Sequence, residues 1–374
     1  MKELYKQLFE PFTFPCGVEI DNRIIMAPMA TKSSFENGMV TLDELAYYKR
    51  RTEGLGMVIT SATRIEKHGS SPGSISIATD KHIQSLSKLA NTIKSNGTKA
   101  ILQIFHVGRM QNSEFSGGIQ PVSASAIPAK REGSETPRAL EHFEIQDMIN
   151  TFGEAARRAV EAGFDGVEIH GANTYLIQQF FSPLSNQRTD FWGGSLENRA
   201  KFPLAVVEAV QKAVQKHADR PFIIGYRISP EEVYEPGISL NDTLYLLNKL
   251  KKTELDYIHL SLESYDQTSL REKNQSTPTL KVISDEIGQE IPVIGVGKVK
   301  APEDALKIMN YGTPLVSIGR ELLIEPDWIK KVLLGKESEI RNVILQSERE
   351  DLCIPDFMWE YIQSRPGWVP IKDN

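Results

Sequence analysis

The chain has 374 residues, 40% of them hydrophobic and 25% charged, the balance of an ordinary soluble globular protein. With 43 lysines and arginines against 49 acidic residues the net charge is -6, which gives no basic footprint for nucleic acid. Cys16 and Cys353 make neither a metal spacing nor a disulfide framework, and no apolar run reaches the roughly 18 residues of a spanning helix.

Charges at Lys2, Glu3 and Lys6 occupy the start, where a signal peptide needs an apolar core. A cytoplasmic chain with no membrane partner is therefore expected. Short apolar runs then alternate with helical-period stretches along most of the length. Expected strands fall at 23–27, 57–61, 100–105, 166–170, 222–227, 257–261, 293–297 and 315–319. Helix-like stretches between them include 80–95, 144–162, 195–216, 241–252 and 302–310. The third-to-fourth-strand helix shows the pattern best, with Ile145, Met148, Ile149, Phe152, Ala155, Ala156, Ala159 and Val160 spaced by three and four. Gly163 stops it, and Asp165-Gly166 turns into the next strand.

Eight strands, each followed by a helix, predict an α/β fold: a single (β/α)8 TIM barrel over residues 1–335, with 336–374 as a C-terminal extension packing on the barrel or at a subunit interface. A doubly wound open sheet would need a glycine-rich first turn, and Gly54-Leu55-Gly56 precedes its strand rather than following it. Two long polar connections, 108–142 and 262–277, follow strands and so lie at the face where barrels carry active sites. They read as lids or substrate walls, or as surface decoration.

Strand alternation places the candidate chemistry. In the fourth strand Val167 and Ile169 suit the outer helices, which turns Glu168 and His170 toward the barrel axis. His170 is then the last inward residue, where a neutral imidazole can donate to a developing oxyanion. Asn173 adds an amide donor and Tyr175 a phenolic proton. By residue type alone, a lone strand-end histidine is more often structural than catalytic. The same parity turns Gln103 inward with Ile101 and Phe105, and Arg227 inward with Ile223 and Gly225. Arg227 then meets an anion, an electron-rich ring, or a salt-bridge partner such as Glu168. The last two strands end in Gly295-Val296-Gly297-Lys298 and Ser317-Ile318-Gly319-Arg320, glycine-freed amides beside cations that suit a phosphate.

Together these segments resemble the old yellow enzyme family of FMN-dependent ene-reductases over roughly residues 5–335. The similarity runs through Asn22-Arg23-Ile24-Ile25-Met26-Ala27-Pro28-Met29, through Gln103 in its strand, and through the long stretch 163–199 with its Gly193-Gly194-Ser195-Leu196-Glu197-Asn198-Arg199. It continues in Arg227-Ile228-Ser229-Pro230 and the two glycine pairs. The resemblance implies tightly bound FMN contacted by Ala27, Pro28, Met29, Ala30, Ala62, Gln103 and Arg227, with its phosphate at Gly295, Gly297, Gly319 and Arg320. It implies that His170 and Asn173 bind a substrate oxygen and that Tyr175 protonates the α-carbon. NAD(P)H would reduce the flavin and leave before an enone, quinone or nitro compound takes the hydride from N5.

Three departures stand out. Ala30 replaces a threonine or cysteine that hydrogen-bonds the flavin in many members, so the reduced flavin should be less stabilised here. Lys32 stands near a substrate-contacting tyrosine of one bacterial branch. Two cysteines exclude the iron–sulfur cluster of the longer relatives. The tail around Arg365 resembles members whose C-terminal arginine enters a neighbouring subunit, which implies a homo-oligomer. Two other readings remain: a flavin-free phosphate-binding lyase or isomerase, though no lysine closes a central strand, and a flavin-binding protein without turnover.

Overall fold

Eight parallel strands, labelled in chain order, form one sheet that closes on itself: β1 (Ile24–Met26), β2 (Met57–Ile59), β3 (Lys99–Phe105), β4 (Gly166–Gly171), β5 (Ile223–Ile228), β6 (Tyr257–Leu260), β7 (Val293–Val296) and β8 (Leu315–Ile318). Each pairs with its neighbours in sequence, and β8 returns to β1 with Ile318 opposite Met26. The structure is a computed structural model that describes residues 1–67 and 73–373. It is a TIM barrel, and all eight expected strands are present.

Outside the ring run α1 (Leu42–Arg51), α2 (Ile83–Lys94), α3 (His142–Glu161), α4 (Leu196–His217), α5 (Leu240–Leu250), α6 (Thr279–Ile287), α7 (Pro302–Asn310) and α8 (Trp328–Leu333). The helical period predicts these well away from their ends. The stretch expected to be helical from residue 80 opens with a tighter turn, Asp80–His82, before α2 begins. α3 starts two residues earlier than its apolar pattern, because Glu141 and Glu144 cap it reciprocally.

Alternation sorts the strand side chains into two cores. Ile25, Met57, Ile59, Ile101, Ile223, Tyr257, Ile294 and Leu315 fill the barrel. Val58, Leu102, Val167, Ile169, Ile258, Val316 and Ile318 pack outward on the helices. A short antiparallel hairpin, Phe12–Thr13 with Glu19–Ile20, adds Phe14 and Ile20 to the inner core. The inner core is filled by branched and aromatic groups, so the barrel is a packed support rather than a channel.

The loop at 108–142 carries structure of its own, including paired strands Val122–Ser123 and Arg138–Ala139. Arg109 Nη1 donates to the Ile127 and Pro128 carbonyls (3.1 and 3.2 Å), and Arg188 Nη1 donates to those of Ala124 and Leu140 (3.0 and 2.7 Å). Beyond the barrel, helix Asp356–Gln363 buries Met358 and Ile362, and Ile344–Leu345 pairs with Ile371–Lys372. Arg51 Nη2 donates to the Leu352 carbonyl at 2.6 Å, tying this segment to α1. No helix among the described residues is long and apolar enough to cross a membrane.

Candidate active site

The site grows from the C-terminal ends of β3 to β6. Register sets Gln103 beside Glu168, and sets Arg227 between His170 on β4 and His259 on β6. Glu168 is fully buried, yet three donors converge on its carboxylate: Gln103 Nε2 (2.6 Å), His259 Nδ1 (2.8 Å) and Tyr257 Oη (3.1 Å). Burial alone would raise its pKa, but His259, Arg227 and Gln103 together bring it below the ordinary carboxylate value. Burial holds His259 below the ordinary histidine value, which makes the pair a hydrogen bond from a neutral imidazole to a carboxylate.

Arg227 makes no ion pair with Glu168; its charge reaches the carboxylate at longer range. Its Nε is buried without a partner. The salt-bridge alternative for Arg227 is therefore not realised, and the guanidinium keeps donor capacity facing the cavity.

Above this layer stands the rim. The Ala172 amide donates to His170 Nδ1 at 3.2 Å, so that nitrogen carries no proton and Nε2 must. Burial, with Arg227 and His259 adding, holds His170 well below its ordinary pKa. The imidazole is thus a neutral Nε2–H donor. Asn173 Oδ1 accepts from Ser261 Oγ (2.7 Å) and, at the limit, from Ser229 Oγ (3.5 Å), which leaves its Nδ2 protons free. The Tyr175 ring stands edge-on to Phe105 and His170, with centroids 4.9 and 5.0 Å away. Burial, then Tyr361, raises the phenol's pKa, so Tyr175 keeps its proton at neutral pH.

The turn carrying these groups is strained. Asn173 and Thr174 lie consecutively in the left-handed region, at φ 56° and 62°. Gln178 Oε1 accepts from the Thr174 amide (2.9 Å), and Gln179 Nε2 donates to the Thr174 carbonyl (2.6 Å). Two glutamines of the following helix, Leu176–Phe181, thereby hold a conformation that a β-branched residue disfavours.

A cavity of about 520 Å³ runs from Asn173 and Arg227 past Ala27, Pro28 and Met29 to Gly297, Gly319 and Arg320. Lys298 and Lys300 join Arg320 there, and none of the three forms an ion pair among the described residues. Gly297, at φ 116°, brings backbone within reach because a Cβ would meet the Ser264 backbone at 2.7 Å. Gly295 does not belong with this group. Its Cα faces outward, where a Cβ would meet Ile308 and Leu280, so packing on the outer helices explains that glycine.

Gln103, His170, Tyr175, Ala30, Ala62 and Arg365 are not among the residues lining this cavity. Ala62 sits where three residues, 60 to 62, oppose two of β3 between the Ile59–Ile101 and Thr63–Ile104 pairs, as in a bulge. Ala30 is exposed on the turn after β1. Arg365 lies over Tyr361 of its own chain. Reading the sequence missed His259, Ser261 and Ser229, and also Trp368, whose carbonyl accepts from Arg320 Nη1 at 3.4 Å. The parity of β6, with Tyr257, His259 and Ser261 in alternate positions, was the available signal. A second cavity of about 820 Å³, lined by Phe35, Arg64, His82 and Phe115, includes none of the residues expected at the site.

Comparison with known proteins gives one answer. The NADH:flavin oxidoreductase / NADH oxidase family model matches residues 7–339. The chain is 44% identical to the probable NADH-dependent flavin oxidoreductase YqiG of Bacillus subtilis (strain 168), over 100% of both chains. It is 45% identical to the NADH:fumarate oxidoreductase of Klebsiella pneumoniae (strain 342), covering 95% of this chain and 39% of that longer protein. Among solved structures, the old yellow enzyme homologue from Zymomonas mobilis superposes with a TM-score of 0.74 at 26% identity, over 88% of this chain and 92% of that one. The flavin-free lyase reading falls with these matches. A barrel whose strand ends gather donors over a phosphate-suited cavity, matched end to end, belongs to the NADH:flavin oxidoreductase / NADH oxidase family of old yellow enzymes, and it is an NAD(P)H-dependent flavin oxidoreductase.

Proposed function

We propose that the cavity holds FMN and that the enzyme reduces an electrophile, such as an enone, a quinone or a nitro compound, whose oxygen binds at His170 and Asn173. Support for FMN comes from the donor set. Three cations without ion pairs suit a phosphate dianion, and Arg227 Nε and Ser317 Oγ are buried groups lacking partners. Beside Gly319 a Cβ would meet only Ala27 and Met29 at 3.6 Å, so its bare Cα leaves room there. Gln103, with Nε2 committed to Glu168, has its carbonyl oxygen left to accept from an imide N–H. Ala27, Pro28, Met29, Ala30 and Ala62 would contact the flavin ring in this reading.

FMN, when bound, would supply hydride transfer from NAD(P)H to an electrophilic carbon. The chain's residues do the rest. His170 Nε2–H and Asn173 Nδ2–H grip the substrate oxygen and favour charge developing on it. Ser261 and Ser229 hold the Asn173 amide so that it presents its donor. Tyr175 then delivers its proton to the neighbouring carbon, and Arg227 offers positive charge beside the ring.

The observation that carries this reading is the His170 tautomer, fixed by the Ala172 amide, next to a protonated Tyr175. Tyr175→Phe tests it in stopped-flow experiments. Flavin reduction by NADH should survive, while reoxidation by 2-cyclohexenone should slow by about 100-fold. An equal loss in both halves would remove Tyr175 from the proton-donor role.

A further inference from the structure

Two residues past Ala30, Lys32 adopts φ 53°, a conformation unfavourable for any residue with a Cβ. Its Nζ lies 4.3 Å from the centre of the Tyr361 ring, and the Arg365 guanidinium carbon lies 4.2 Å from the same centre. One phenol ring is thus shared by two cations. Neither forms an ion pair among the described residues, although Lys32 is half-buried. Burial, and then Arg365, lower the Lys32 pKa. A ring face attracts each cation without neutralising it, so the pair keeps an unmet demand for negative charge.

This pair sits beside the cavity, because the Tyr361 ring stands 5.5 Å from that of Trp368, which lines it. Tyr361 and Arg365 act electrostatically on the Tyr175 phenol, as do Arg227 and, on the loop after β3, Arg131. Lys32 continues the turn that lines the cavity at Ala27, Pro28 and Met29. We propose that Lys32 and Arg365 receive a carboxylate on the electrophile, so that the preferred substrate class is an α,β-unsaturated carbonyl compound carrying a negative charge. The inference rests on the reading that the electrophile's oxygen binds at His170 and Asn173. A nucleotide pyrophosphate fits less well, because a ribose separates it from the reacting nicotinamide carbon. A carboxylate conjugated to the alkene stands within a bond or two of the reacting carbons and suits a cation pair this near Tyr175.

The experiment titrates the purified flavin-loaded protein with 4-oxopentanoate and with its methyl ester, neither of which has an alkene to reduce. Calorimetry should show the acid binding about tenfold tighter than the ester, the range of one charge-assisted contact. The ratio should fall toward one in the double substitution Lys32→Gln with Arg365→Gln, and Lys32→Arg should keep it. Equal affinities in the wild type, or a preference that survives the double substitution, overturn the proposal. A raised KM for NADH with the acid preference intact also overturns it, by assigning the pair to the nucleotide. Flavin that NADH bleaches but no activated alkene reoxidises would instead sink the proposed function, and the binding ratio would still report on the cation pair.

Discussion

Ala30 is exposed on the turn after β1 and brings no side-chain donor to the cavity. Thr31 is no substitute, because its hydroxyl turns inward and donates to the buried Glu44. A reduced flavin carries more negative charge than an oxidised one, so a missing donor lowers its potential. One neutral hydrogen bond is worth ~1 kcal/mol, which for two electrons is ~20 mV. The wild-type midpoint potential should lie below that of Ala30→Thr or Ala30→Cys by about this much, measured by anaerobic spectroelectrochemistry. A wild-type value equal or higher contradicts the argument. At the cavity's far end, burial pushes the Glu321 carboxyl up to about 8, with Glu325 and Asp304 adding to the shift and Lys300 opposing it. The folded chain therefore holds this proton where the unfolded chain has released it. The associated stability is complete below about pH 4.5 and is lost as pH rises toward 8. Glu321→Gln should melt about 2 °C higher than wild type at pH 9, with the gain vanishing near pH 4.5. A difference that stays constant across pH would show that ionisation of Glu321 is not its source.

At the level of strands and helices, alternation in one sequence was enough to orient the central side chains. Val167 and Ile169 demand an outer core, and that demand turns Glu168 and His170 inward. What could not be read are partnerships set by distant contacts. The orientation of Asn173 depends on Ser261, 88 residues away, and Gln103 is committed to a carboxylate 65 residues on. The glycine pairs show the same limit. As letters Gly295, Gly297 and Gly319 are alike, but the first faces the outer helices, the second takes a left-handed φ, and the third borders the cavity. Their alanine variants should therefore separate. Gly297→Ala meets the Ser264 backbone at 2.7 Å and should destabilise the protein by a few kcal/mol even without flavin. Gly319→Ala meets nothing closer than 3.6 Å, so the flavin-free melting temperature should hold while FMN affinity falls by about tenfold or more. Denaturation and fluorescence titration of the flavin-free proteins decide it, and matching losses in both variants would refute the distinction.

Across the whole molecule, the barrel and its tail build the cavity together. The turns after β7 and β8 supply Gly297, Gly319 and Arg320, but Gly367, Trp368 and Pro370 form part of the same wall. The tail is fastened independently: Ile371–Lys372 pairs with Ile344–Leu345, and Val369 is buried. Arg320 donates to the Trp368 carbonyl at 3.4 Å, a long bond that orients the guanidinium without occupying all its donors. Removing residues 366–374 leaves the eight-strand ring and its inner core in place but takes away this wall, the Arg320 acceptor and the buried Val369. The flavin-free truncated protein should keep the far-ultraviolet spectrum of a folded barrel. Its FMN dissociation constant should rise by about tenfold, the worth of one oriented charge-assisted contact. Arg365 remains in this truncation, so the Lys32–Arg365 pair is tested separately from the wall. Flavin affinity equal to that of the full chain would mean that the barrel's own glycines and cations suffice for the phosphate, and that the tail closes the cavity without contributing to binding.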